Sequence, residues 1–196
     1  MKVTIFLFEN FEILDVFGPV EIMGRLPENF KVAYYSLYGG LIRSTQGVEI
    51  ITRKIDDCLL SDILLVPGGI GTRKEVDRYK LIDSIKKLSN MSKYVLTVCT
   101  GSALLAKTGL LDGKRATSNK RAFDWAKSVR SEVEWVKKAR WTVDGKFYTS
   151  SGVSAGMDMT LGFISDIISV EEANKIAREI EYEWNSDPGN DKFSQE

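Results

Sequence analysis

The run Tyr94-Val-Leu-Thr-Val-Cys99-Thr-Gly-Ser-Ala-Leu-Leu-Ala106 limits what this chain can fold into more than any other stretch. Tyr94 to Val98 is short, β-branched and nearly all apolar, the pattern of a strand buried on both faces. Ser102 to Lys107 is built of good helix formers. Thr100 and Gly101 supply the turn between them, and Cys99 stands at the bend. A strand that passes directly into a helix belongs to a parallel α/β sheet. A cysteine there meets the amino end of the helix, whose free amides and dipole favour the thiolate and can hold a developing oxyanion. The layout follows the logic of the serine elbow of hydrolases, with sulfur in place of oxygen. The competing reading of Cys99 is a small buried hydrophobe.

One absence decides much of the chemistry: the chain has no histidine. Neither a Cys-His pair nor a Ser-His-Asp triad can be assembled, even between copies. A zinc site would need the two cysteines, Cys58 and Cys99, with carboxylates, so no such site is expected. The same two cysteines suggest no disulfide framework, and Cys58 is expected in the core. Lys plus Arg equals Asp plus Glu at 27 each, which gives no net charge to draw in nucleic acid or an anionic membrane. The first residues, Met1 to Phe8, are interrupted too soon by Glu9 and Asn10 for a signal peptide, and no apolar run reaches membrane-spanning length. A cytoplasmic protein is the expectation. At 196 residues the chain is expected to form one domain, 1–196, burying about 70% of its extended surface.

Val3 to Phe8 reads as a first, central strand. The loop from Glu9 leads into a helix expected to begin at Pro19. Asp15 lies on the way, among Ile13, Leu14, Val16 and Phe17. Two readings stand equal: a desolvated acid with a raised pKa, or a helix N-cap. Phe30 to Leu37 reads as the second strand, followed by a glycine-punctuated antiparallel excursion, Leu41 to Ser44 and Val48 to Thr52. Ile63 to Val66 is a buried strand ending in Pro67-Gly-Gly-Ile-Gly71, whose amides can approach a ligand closely. A helix over Asp83–Asn90 precedes the elbow, and Gly109 is placed to cap the helix that follows it. Lys114 to Thr117 is a short strand and Lys120 to Val129 a helix. Arg140 to Val143 and Lys146 to Thr149 form a hairpin about Asp144-Gly145. A long apolar helix ends at Ile168, an amphipathic one runs from Val170 to Trp184, and residues 185–196 read as a loose polar tail.

Ligands of parallel α/β sheets gather beyond the carboxyl ends of the strands. Asp15, Gly68 to Gly71, Cys99 and Gly152 to Ser154 each follow a strand, so all four should meet at one rim.

Taken jointly, Leu14-Asp-Val-Phe-Gly-Pro19, Pro67-Gly-Gly-Ile-Gly71, Val98-Cys-Thr-Gly-Ser102, Gly109-Leu-Leu-Asp-Gly-Lys-Arg-Ala-Thr117 and Ser151-Gly-Val-Ser-Ala-Gly-Met-Asp158 resemble the ThiJ/PfpI superfamily, from Val3 to Glu183. That resemblance implies a class I glutaminase-like, flavodoxin-like α/β sandwich of three layers, with a mostly parallel central sheet and a cysteine nucleophile elbow. The aspartate of the first motif and Cys-Thr-Gly at the elbow are similar to isocyanide hydratases and to the sensing domains of AraC-type regulators. No helix-turn-helix is expected in this sequence, so the regulator reading would lack its output module. The PfpI-type protease branch carries histidine directly after the nucleophile, where this chain has Thr100. The hydratase-like branch has histidine where this chain has Asn119.

The resemblance implies hydration of an isocyanide to an N-substituted formamide, with Cys99 as nucleophile and Asp15 as acid and base. Backbone amides at Gly69, Ile70 and Thr100 would steady the intermediates, and Thr100, Asn119, Gly152 and Val153 would line the substrate pocket. It further implies a homodimer acting on a small electrophile, with no metal and no organic cofactor. Two other readings are a redox sensor, in which Asp15 favours an oxidised Cys99, and an amidase or protease, disfavoured without histidine.

Overall fold

The computed structural model describes residues 1–195. Elements run in the order β1 (Lys2–Leu7), α1 (Ile13–Gly24), β2 (Lys31–Ser36), β3 (Gly40–Arg43), β4 (Glu49–Lys54), β5 (Ile63–Val66), α2 (Thr72–Glu75), α3 (Tyr79–Met91), β6 (Tyr94–Thr97) and α4 (Gly101–Lys107). They continue with β7 (Arg115–Ala116), α5 (Phe123–Val129), β8 (Glu134–Trp135), β9 (Trp141–Asp144), β10 (Phe147–Ser150), α6 (Ala155–Ile167) and α7 (Val170–Glu179). Eight strands form one sheet in the order β3-β4-β2-β1-β5-β6-β10-β9, while β7 and β8 pair separately. Only the β3–β4 and β9–β10 pairs of the large sheet are antiparallel. The expected mostly parallel α/β sheet is therefore present. The excursion after β2 is more than a hairpin, because β4 also pairs with β2 and extends the sheet.

The central strands are apolar throughout because helices cover both faces. Every residue of β5 and β10 is buried, as are all but the first of β1 and β6. Register aligns their ends: Val66 lies opposite Thr97, and Thr97 opposite Thr149. The segments that follow β1, β5, β6 and β10 consequently start at one level.

Three expected boundaries move. Pro19 does not open α1 but lies inside it, where it removes one backbone donor. The helix persists because Val16, Gly18, Pro19, Ile22 and Met23 are buried, with Gly18 against Met157 of α6. The last helix stops at Glu179, five residues short of Trp184, and the chain turns through Glu181 at φ 51°.

The third correction concerns the tail. Residues 185–194 are not loose. Arg140 and Trp141 of the sheet edge donate backbone N–H groups to Pro188 O, Asp191 N donates to Lys138 O, and Asn185 N donates to the Asp158 carboxylate. Asp158 also receives Arg140 Nε at 2.8 Å and the Tyr182 hydroxyl at 3.0 Å. Asp191 is buried between two cations, 3.7 Å from Arg140 and 3.9 Å from Lys120. A polar tail docks here because the cations it meets are themselves withdrawn from water and need counter-charge. Glu196 lies outside the described residues.

Two predictions follow from this packing. A Cβ on Gly101 would stand 2.3 Å from Val66 O, so Gly101→Ala should cost about 1–3 kcal/mol in urea unfolding as the elbow is forced off β5. Asp191→Ala strips Lys120 of its counter-charge and leaves Arg140 with Asp158 alone, and should cost about 3–5 kcal/mol. A loss below 1 kcal/mol would show that the tail docks without this charge.

Candidate active site

The four strand-end segments do meet. The Gly68 N–H donates to Asp15 Oδ2 at 2.8 Å, and Glu12 N donates to Gly68 O at 2.9 Å, which ties the segment after β1 to the turn after β5. Gly69 N donates to the Thr100 hydroxyl at 3.2 Å, which ties that turn to the elbow. Cys99 N donates to Ser151 O at 3.1 Å, which ties the elbow to the segment after β10. Gly68 has to be glycine: a Cβ there would lie 2.5 Å from Thr100 N and 2.9 Å from Cys99 Cβ.

Cys99 takes φ 58°, a left-handed conformation that costs a non-glycine residue about 1–3 kcal/mol. Three contacts hold it there. The Ser102 and Ser118 hydroxyls both donate to Cys99 O at 3.0 Å, and its N–H is bound to Ser151. At about 0.5–1.5 kcal/mol each, three such bonds offset the strain. The bend points the sulfur into the space where the segments converge, as a nucleophile elbow requires. Val153, on the facing segment, is also left-handed at φ 43°.

Asp15 is not an N-cap. It sits in the first turn of α1, whose cap residue is Glu12, and its carboxylate reaches across to Gly68. Its side chain is fully buried, and Oδ1 has no hydrogen-bond partner among the described residues. Burial raises its pKa well above the usual carboxylate range; the Gly68 N–H opposes that, and Glu12 adds to it. Cys99 is pushed up to about 12, first by burial and then by the charge of Asp15. The Thr100 N–H, the Asn119 carboxamide and the Thr100 hydroxyl oppose the rise. The thiolate expected from the helix end is thus outweighed: α4 has only seven residues, and the sulfur shares its dry site with a carboxyl group. No hydrogen bond of ordinary geometry joins Oδ1 to Sγ, yet each group shifts the titration of the other. Near neutrality the pair holds one negative charge at most.

The remaining expected site residues divide. Asn119 lies at the sulfur: its Oδ1 accepts Ala122 N at 3.2 Å, which leaves the amide nitrogen for Cys99, and that nitrogen packs where a Cβ on Gly152 would stand. Gly152 and Val153 line a cavity of about 220 Å³ together with Asn119, Lys120, Arg121 and Phe193 of the docked tail. Gly69 is not a free donor, since its N–H is taken by Thr100. The N–H groups of Ile70 and Thr100 donate to no backbone or side-chain oxygen among the described residues, and Ile70 is 63% exposed. Ser102, Ser118 and Thr72 were not anticipated. Thr72 donates to the Thr100 hydroxyl at 3.0 Å, and no local pattern announces a serine or threonine whose partner lies on another loop.

Residues 1–166 match the DJ-1/PfpI family. This chain belongs to that family. The DJ-1/PfpI chain is 29% identical over 185 residues to the isonitrile hydratase of Pseudomonas putida, covering 93% of this chain and 78% of that protein. Its fold is similar to that of a ThiJ/PfpI family protein from Pseudomonas syringae, at TM-score 0.81 and 24% identity over 93% of this chain and 75% of the other. An AraC family transcriptional regulator from Pseudomonas putida shares the fold at TM-score 0.77 and 18% identity, covering 91% of this chain and 98% of that one. No helix of the described residues is long and apolar enough to cross a membrane.

The Asp15 shift carries a sign. Its folded pKa is raised, so its contribution is fully present below about pH 4 and is lost as pH rises toward the folded value. Asp15→Asn keeps the Gly68 contact and cannot ionise. Its melting temperature should exceed that of wild type at pH 7, with the gap closing toward pH 4. An equal difference at all pH values would refute the raised pKa.

Proposed function

We propose that this DJ-1/PfpI protein hydrates an isocyanide to an N-substituted formamide through a thioimidate on Cys99. The observation that carries the reading is the buried Asp15 carboxyl, with one oxygen unpartnered, set against a buried cysteine in a chain that has no histidine. A histidine-dependent hydrolase has no proton carrier here, whereas a carboxyl with a raised pKa can both give and take a proton in the reaction. The likeness to isonitrile hydratase supports the same chemistry.

In its reactive form the pair carries one proton and one negative charge. With the proton on Asp15, the Cys99 sulfur bonds the terminal carbon of the isocyanide, and that carbon takes the proton. The product is a thioimidate, and Asp15 is left ionised. Water then adds to the carbon, and one of its protons reaches the nitrogen by way of Asp15. The carbon–sulfur bond breaks as the remaining hydroxyl proton passes to Asp15, which restores the pair and releases the formamide. The Thr100 N–H and the Asn119 amide face the sulfur and can stabilise charge on it as this bond forms and breaks. The reading takes a small electrophile as the partner, and a homodimer in the cytoplasm as the working form.

Formamide release from phenyl isocyanide, followed by chromatography, tests this. Cys99→Ala should abolish turnover, and Asp15→Ala should lower kcat by about 10²–10⁴-fold. Undiminished turnover in Asp15→Ala would overturn the mechanism. Absence of turnover in wild type, with a stable gain of two oxygens on Cys99 after mild peroxide, would favour a redox sensor instead.

A further inference from the structure

Arg73, near the elbow, takes part in no ion pair among the described residues. It lies in α2 with no carboxylate within salt-bridge distance among those residues, whereas eleven lysines and arginines elsewhere do pair. Its guanidinium lies flat on the Trp125 ring, 3.4 Å from the centroid. Nη1 donates to the Thr72 hydroxyl at 3.3 Å, and that hydroxyl donates to Thr100 Oγ1 at 3.0 Å. Two hydrogen bonds therefore connect Arg73 to the residue that follows Cys99. The remaining donors, on Nε and Nη2, have no acceptor among the described residues.

A stacked guanidinium is held in one plane and presents its edge, the geometry that receives a carboxylate with two parallel hydrogen bonds. Arg73 is half-buried, and burial lowers its pKa while the nearby Cys99 opposes that. A cation partly withdrawn from water with no counter-charge is a cost to the free protein, which a bound anion removes. The neighbouring cavity adds to the sign: Lys120 and Arg121 line it, and no acidic residue does. Glu12 and Asp15 are the acids at the start of α1. Glu12 is occupied by Gln46, and Asp15 by Gly68.

We propose that Arg73, stacked on Trp125 and tied to Thr72, binds a carboxylate of the molecule that Cys99 attacks. The substrate is then an anionic electrophile, and, on the reading given above, a carboxylate-bearing isocyanide. Arg73 is a specificity-determining residue in this account, and Asp15 and Cys99 supply the chemistry.

The test compares alkylation of Cys99 by iodoacetate and by iodoacetamide, followed by intact mass. The two reagents make the same carbon–sulfur bond and release the same iodide, but only iodoacetate carries the anion. Their rate ratio cancels any change in the thiolate fraction. Arg73→Gln should lower the iodoacetate-to-iodoacetamide ratio about tenfold, with Arg73→Lys between it and wild type. The same variants are assayed for formamide from 4-isocyanobenzoate and phenyl isocyanide. A shifted ratio with a matching loss of preference for 4-isocyanobenzoate supports both readings. A shifted ratio without formamide keeps the anion site and removes the hydratase. An unshifted ratio in Arg73→Gln overturns the anion site, whatever the formamide assay gives.

Discussion

Two acids, the carboxyl of Asp15 and the thiol of Cys99, are buried at the same place above the strand ends, where a charge on one opposes a charge on the other. Much of the surrounding structure can be understood as what holds them there. The first turn of α1 brings Asp15 to the Gly68 amide, and glycine at 68 allows the turn after β5 to close on the elbow. Ser102, Ser118 and Ser151 hold Cys99 in a conformation that it would not keep alone. The charge limit then decides the chemistry, because a pair with one proton between two sites can deliver that proton and take it back.

The aligned ends of four parallel strands make such a meeting possible. Parallel β1, β5, β6 and β10 deliver four loops to one level, and each loop needs to contribute only one or two groups. The docked tail contributes a further boundary. Asp191 binds it near Arg140 and Lys120, and Phe193 reaches the cavity beside Asn119, so a segment far along the chain shapes the space next to the sulfur. The strap and the acid pair use opposite solutions to burial: the former supplies counter-charges, whereas the latter suppresses ionisation.

How much of this was legible depended on whether the cause was local. Strands buried on both faces are apolar runs, so β1, β5 and β6 stand out in the sequence, and Cys99 and Asp15 could be placed at strand ends before any contact was known. Pro19 misled because proline is most often a helix opener, while the burial of α1 is a tertiary effect that outweighs it. The tail misled for a similar reason: Asp191 looks like any solvated acid until Arg140 and Lys120, fifty and more residues earlier, are seen beside it. The Cys99 thiolate was expected from a helix end, a short-range effect, and was outweighed by burial, which no neighbouring residue reveals. Arg73 and Trp125 lie on separate helices and carry no shared motif.

The central claim is that Asp15 and Cys99 hold no more than one negative charge between them near neutral pH. Thiolate absorbance near 240 nm, followed through a pH titration with Cys99→Ala as the blank, measures it directly. In wild type the Cys99 thiolate should form only on the alkaline side, toward a pKa of about 12, and Asp15→Asn should move its midpoint downward by removing the opposing charge. A thiolate already complete at neutral pH, with the same midpoint in both proteins, would contradict the account.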